Sequence, residues 1–132
     1  YAARHIAKNL VAAGVCNEAL VQISYAIGVA EPVALHVNTY GTSKVNFSDG
    51  DISEMILDIF DLRPYSIENL FDLRKPIYLE TAAYGHVGRE PQKIKKTFVN
   101  SEGKSIDFKL ELFNWEKLDY VKKIKKLFKL AE

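Results

Sequence analysis

The chain has 132 residues, 48% of them apolar, with 18 Lys/Arg against 17 Asp/Glu and a formal net charge of +1. That length fits one domain or part of one, and no apolar run approaches the ~20 residues of a membrane-spanning helix. A single cysteine, Cys16, excludes an internal disulfide framework and points to a reducing compartment, so a cytoplasmic location is expected.

In chain order, Tyr1–Ala13 places Ala3, Ile6, Ala7, Leu10 and Val11 on one stripe at helical spacing, and Gly14 is placed to end that helix. No Ser, Thr, Asp or Asn precedes it to cap the first turn, which predicts that the chain is a piece of a longer polypeptide. Leu20–Gly28 alternates Val21, Ile23, Tyr25 and Ile27 with Gln22, Ser24 and Ala26, the two-residue period of a strand. Val33–Tyr40 repeats the pattern, and Glu31-Pro32 between them breaks the pairing. The two read as antiparallel strands.

Gly41–Gly50 reads as a loop in which Ser48 or Asp49 caps a helix over Asp51–Phe60, stopped by Pro64. Ser66 is placed to cap a short helix, Ile67–Leu73, and Pro76 to open another over Ile77–Tyr84 before Gly85 and Gly88 turn the chain. Lys93–Phe98 and Ser105–Phe113 flank Asn100-Ser-Glu-Gly-Lys104 as a hairpin. Glu116–Leu130 reads as a basic amphipathic helix, with Leu118, Val121, Ile124, Leu127 and Phe128 opposite five lysines. The predicted fold class is α+β: a two-layer domain with antiparallel strands covered by helices on one face.

The charge is unevenly placed. Residues 1–90 hold seven Lys/Arg and eleven Asp/Glu, whereas residues 91–132 hold eleven and six, so the final third differs in chemistry from the rest. Its lysine-rich helix could attract nucleic acid or an anionic membrane. No aromatic side chains interleave with the lysines to stack on bases, and a solvated face is the expected role; neither nucleic acid nor membrane is an expected partner.

Few side chains stand out as chemical groups. Arg63 in Asp-Leu-Arg-Pro could bind phosphate, but no glycine-rich nest accompanies it and a structural ion pair is the simpler role. His86 has no second ligand at metal spacing, and His5, His36 and Glu31 are no stronger. Gly85-His-Val-Gly88 lacks the spacing of a dinucleotide fingerprint, and Asn46-Phe-Ser48 matches a glycosylation acceptor by chance. The string Ser24-Tyr-Ala-Ile-Gly-Val-Ala-Glu-Pro32 is the strongest candidate, because a glycine at a strand end lets a ligand or another backbone approach closely.

That string, together with Phe60-Asp-Leu-Arg-Pro-Tyr65, Thr81-Ala-Ala-Tyr-Gly-His-Val-Gly-Arg-Glu90, Tyr1-Ala-Ala-Arg4 and Ala7-Lys-Asn9, closely resembles the C-terminal part of the S-adenosylmethionine synthetases (methionine adenosyltransferases). The resemblance runs from Tyr1 to Glu90. It implies one of three similar α/β domains of a full enzyme that joins ATP to L-methionine, with Mg²⁺ and K⁺, and releases phosphate and diphosphate. It also implies subunits that pair as dimers and commonly as tetramers. Residues 1–90 would be most of that C-terminal domain, and residues 91–132 a family-variable hairpin insertion, Lys93–Phe113, and a basic terminal helix. Family members run from Gly-Arg-Glu almost directly into Phe-Pro-Trp-Glu; here Phe113-Asn-Trp-Glu116 arrives later and has Asn for Pro.

Carried over residue by residue, the resemblance assigns Ile27 to substrate binding, as an apolar wall beside the methionine or the ribose. It assigns no catalytic residue and no metal ligand, since the family's phosphate-binding and metal-binding segments precede the part matched by Tyr1. A phosphate-cradling glycine loop followed by lysine is absent, as is any Asp/Glu cluster at evident Mg²⁺ spacing. The chain by itself is therefore expected to be inactive. The alternative is a stand-alone binding or regulatory module built on the same domain, and a basic-tail nucleic-acid or membrane binder is a third reading.

Overall fold

The computed structural model describes residues 1–131. In chain order it contains α1 (Ala2–Ala13), β1 (Leu20–Ser24), β2 (Ala34–Asn38), α2 (Asp49–Leu57), α3 (Pro64–Leu70), α4 (Tyr78–Thr81), β3 (Gln92–Val99), β4 (Ser105–Leu112), a 3-10 turn (Asn114–Glu116) and α5 (Val121–Leu127). The α+β class expected from the periodicities is the class observed. The chain divides into two compact units, one of Tyr1–Ile67 with the segment from Leu118 onward, the other of Glu68–Lys117. The charge break near residue 90 lies inside the second unit, and the basic helix α5 belongs to the first.

In the first unit β1 and β2 form an antiparallel ribbon, with Val21 opposite Val37 and Ile23 opposite Leu35 on one face. Gln22 opposite His36 and Ser24 opposite Ala34 lie on the other. The first face is covered: Val37 is buried in a core with Ile6, Leu10 and Ala13 of α1, Ile52 and Ile56 of α2, and Ile124 of α5. Burying such side chains is the main force holding the layers together, at roughly 1.5–3 kcal/mol each. Gln22 and His36 stay exposed.

The outer edge of β2 is closed by side chains of α2. The Val37 N–H donates to Ser53 Oγ at 2.9 Å, and the Thr39 N–H donates to Asp49 Oδ2 at 3.0 Å. Ser48 caps α2 through a reciprocal box: its hydroxyl accepts from the Asp51 N–H at 3.2 Å, and Asp51 Oδ2 accepts from the Ser48 N–H at 2.9 Å.

At the other end, Gly14 closes α1 in the left-handed conformation. The Asn9 side chain links α1 to the chain before α5, accepting from the Tyr120 N–H at 3.1 Å and donating to the His5 carbonyl at 2.9 Å. Tyr120 stacks on Phe60 with centroids 4.2 Å apart.

Several boundaries depart from the periodicity. Strand β1 stops at Ser24 rather than Gly28, because the chain turns at Ala26–Val29. Strand β2 stops at Asn38 because Tyr40 and Gly41 both take positive φ. Helix α2 ends at Leu57 rather than Phe60. Helix α3 begins at Pro64, where a missing N–H costs nothing, and not behind a Ser66 cap: the Ser66 hydroxyl donates to Asp61 Oδ2. Helix α4 is one turn long, since Tyr84 and Gly85 adopt positive φ.

The expected helix over Glu116–Leu130 is confined to Val121–Leu127. Its expected first residue, Glu116, is buried and accepts the Gly88 N–H at 3.1 Å, and Lys117 is extended, with ψ 151°. Within the second unit, β3 and β4 pair in the predicted hairpin, Ile94 opposite Leu110 and Phe98 opposite Ile106. Glu80 of α4 pairs with Lys96 of β3, and the lysine holds that carboxyl below its usual range.

Candidate functional site

The segment joining β1 to β2, residues 25–33, carries Ile27, the one side chain that the resemblance assigns to substrate. Its tip is a tight turn in which the Val29 N–H donates to the Ala26 carbonyl at 3.1 Å. Gly28 at the third position has φ +80°, the sign that a type II turn requires there. Ile27 therefore stands at the crest, fully exposed. Val29 and Val33 are half uncovered beside it, so this short loop offers apolar surface that a folded chain would ordinarily bury.

Two contacts tie the loop to the segment after α2. The Tyr25 hydroxyl donates to the Leu62 carbonyl at 2.7 Å, and burial pushes the phenol pKa up. Glu31 lies 3.9 Å from Arg63. Arg63 is itself held by Asp61, Nε to Oδ1 at 2.9 Å and Nη2 to Oδ2 at 2.5 Å. Asp61 also accepts from the Ser66 hydroxyl at 2.7 Å. The Arg63 guanidinium, then the Ser66 hydroxyl, hold the Asp61 carboxyl well below the usual range, while Asp61 in turn raises Arg63. A cleft of about 470 Å³ lies along Glu31, Pro32 and residues 57–63.

In this geometry Arg63 forms an ion pair with Asp61, the simpler of its two sequence-level roles. Tyr25 and the Leu62 carbonyl are the pair that sequence reasoning missed. Tyr25 continues the apolar alternation of β1 one residue past its end, and nothing local marks its hydroxyl as a tether.

The Thr81–Glu90 string runs from the last residue of α4 into a separate loop in the second unit. The Trp115 indole N–H donates to the His86 carbonyl at 2.7 Å, Glu116 takes the Gly88 N–H, and Arg89 donates to the Ala83 carbonyl at 3.0 Å. The Arg89 guanidinium lies 4.7 Å from the centre of the Phe113 ring. The Asn-Trp-Glu sequence thus folds back to hold this loop, leaving Tyr84 exposed at its crest.

Among the described residues no group of three or more His, Cys, Asp or Glu could hold a metal ion. The described residues therefore offer no set of hard-oxygen donors for the Mg²⁺ that the resemblance implies. No described helix is long and apolar enough to cross a membrane.

The family model for "S-adenosylmethionine synthetase, C-terminal domain" matches residues 1–98. The S-adenosylmethionine synthase of Porphyromonas gingivalis is 63% identical over 131 residues, covering 99% of this chain and 30% of that protein. The synthase of Cytophaga hutchinsonii is 61% identical over 128 residues, 97% of this chain and 30% of its own length. The chain thus spans about a third of these relatives. Among solved structures, an unusual S-adenosylmethionine synthetase from Campylobacter jejuni superposes with a TM-score of 0.75 at 36% identity, over 96% of this chain and 28% of that one. With the match running from α1 through most of β3, the chain belongs to the S-adenosylmethionine synthetase C-terminal domain family.

Proposed function

We propose that this chain is the C-terminal part of a methionine adenosyltransferase that makes S-adenosylmethionine from ATP and L-methionine. The match of residues 1–98 to the synthetase C-terminal domain carries the reading. In that reaction the methionine sulfur attacks the ribose C5′ and the triphosphate leaves, then is cleaved to diphosphate and phosphate. Stabilising such a leaving group takes concentrated positive charge and hard-oxygen metal sites. Mg²⁺ and K⁺ act in the complete enzyme, held by residues outside this chain.

This chain's own contribution is to binding. The exposed Ile27 offers an apolar wall to the thioether or the ribose face. Covering a side chain of this size is worth up to roughly 1.5–3 kcal/mol, and it is uniform binding that moves no proton. The complete enzyme works as a dimer or tetramer in the cytoplasm.

The test assays two proteins with ATP, L-methionine, Mg²⁺ and K⁺: the full-length polypeptide that carries this sequence, and the 132-residue chain alone. The full-length protein is expected to form S-adenosylmethionine with equal diphosphate and phosphate, the chain alone none. Turnover by the pure chain would overturn the placement of the catalytic groups. A natural polypeptide of only 15.0 kDa without turnover would replace the enzyme with a binding or regulatory module.

A further inference from the structure

We infer that Tyr25 is a positioning residue for substrate binding: its hydroxyl, on the Leu62 carbonyl, holds the loop that presents Ile27. The inference rests on the proposed role of Ile27 and deepens it. Within the loop, the Ala26–Val29 turn fixes the crest internally, and the Val33 N–H closes the base on the Ser24 carbonyl at 2.8 Å. Neither bond fixes where the crest stands relative to the rest of the unit. Two contacts do. The Glu31–Arg63 pair is 3.9 Å apart, with side chains 72% and 51% exposed, and pairs of this kind contribute little in water. The Tyr25–Leu62 bond is short, at 2.7 Å and partly buried, so it is the stronger tether.

Its receptor is rigid. Leu62 is buried, and the residues on either side are locked together through Asp61, which accepts the Arg63 N–H, Nε and Nη2. Pro64 follows directly and opens α3. A carbonyl fixed in this way is a fixed point, and the phenol ring sets the reach from that point to the loop two residues before Ile27. Losing the hydroxyl leaves the ring in place and frees the crest.

The kinetic signature differs from that of simple destabilisation. An apolar wall touches substrate in ground state and transition state alike, so misplacing it raises KM and leaves kcat unchanged. A variant that only folds less well has fewer active molecules, which lowers apparent kcat at constant KM. The experiment is a double-mutant cycle of Tyr25→Phe and Ile27→Ala in the full-length protein, reading KM for L-methionine, kcat and the melting temperature.

Tyr25→Phe is expected to raise KM about three- to tenfold, the range set by one hydrogen bond, with kcat kept. Ile27→Ala is expected to raise it about tenfold or more. The double variant is expected to match Ile27→Ala within about twofold, because both changes act through one wall. If Tyr25→Phe leaves KM unchanged while Ile27→Ala raises it, or if the two effects multiply, the positioning role is overturned and the Ile27 assignment stands. If Ile27→Ala itself leaves KM unchanged, the assignment falls and the positioning role falls with it.

Discussion

Asp61 collects four donors from Arg63 and Ser66 within five residues of chain. Each of those bonds favours the ionised carboxylate, so its folded-state pKa is depressed relative to the ordinary value of 3.8. A depressed carboxylate contributes stability that is fully present above the unfolded pKa and is lost as pH falls through the folded one. Asp61→Asn therefore lowers the melting temperature at neutral pH, and the difference from the parent narrows progressively once pH drops below about 4. Parallel melts across that range check it: a gap that persists unchanged into strong acid means the lost contacts are not those of the charged form. The Asp61–Arg63 pair is written in the sequence as opposite charges two residues apart. What the sequence conceals is that the pair braces Leu62, whose carbonyl is used by a tyrosine 37 residues earlier.

Local regularity made most elements legible, and long-range polar contacts hid their ends. The stripe on α1, the glycine that ends it, the capping serine of α2 and the alternation of β3 and β4 each follow from neighbouring residues. The start of α5 does not. The residues before it are claimed by distant partners: Glu116 by the Gly88 N–H and the Tyr120 N–H by Asn9, 111 residues away.

Asn9 is fully buried on a helix whose sequence pattern marks only the aliphatic stripe. Beside it, His5 is buried 3.3 Å from Asp119 and meets Tyr120 edge-to-face at 5.5 Å. Replacing Asn9 by Ala leaves the Tyr120 amide without this acceptor and should cost about 2 kcal/mol of stability. Denaturant unfolding measures it, and amide exchange at Tyr120 localises it: the variant is expected to exchange faster there. A loss below about 0.5 kcal/mol would mean that water takes over the bond and that α5 is held by its apolar face alone.

At the scale of the whole chain, the ribbon of β1 and β2 ends on one side without a neighbouring strand among the described residues. The Val37 N–H turns outward to Ser53, so the Val21–Val37 pair is one whose backbone groups point away from each other. Val21 and Ile23 then direct their N–H and C=O groups to the far edge of β1, where the described residues supply no further strand. An open edge invites a strand from another chain. The face beside it, with Gln22 and His36 exposed, carries no charged side chain on either strand to discourage one. The isolated chain is therefore expected to self-associate as its concentration rises through the micromolar-to-millimolar range, where exposed strand edges find partners. Sedimentation velocity reads this directly. Gln22→Lys puts a charge on the edge strand at an exposed position without entering the core, the device natural sheets use against edge pairing. It should shift the population toward monomer while leaving the unfolding midpoint of the monomer unchanged. A chain that stays monomeric at millimolar concentration, or a Gln22→Lys variant that associates as strongly as the parent, would show that the edge of β1 is not the contact. In the second case the exposed apolar crests at Ile27 and Tyr84 are the next contacts to test, and Ile27→Asp and Tyr84→Asp would separate them.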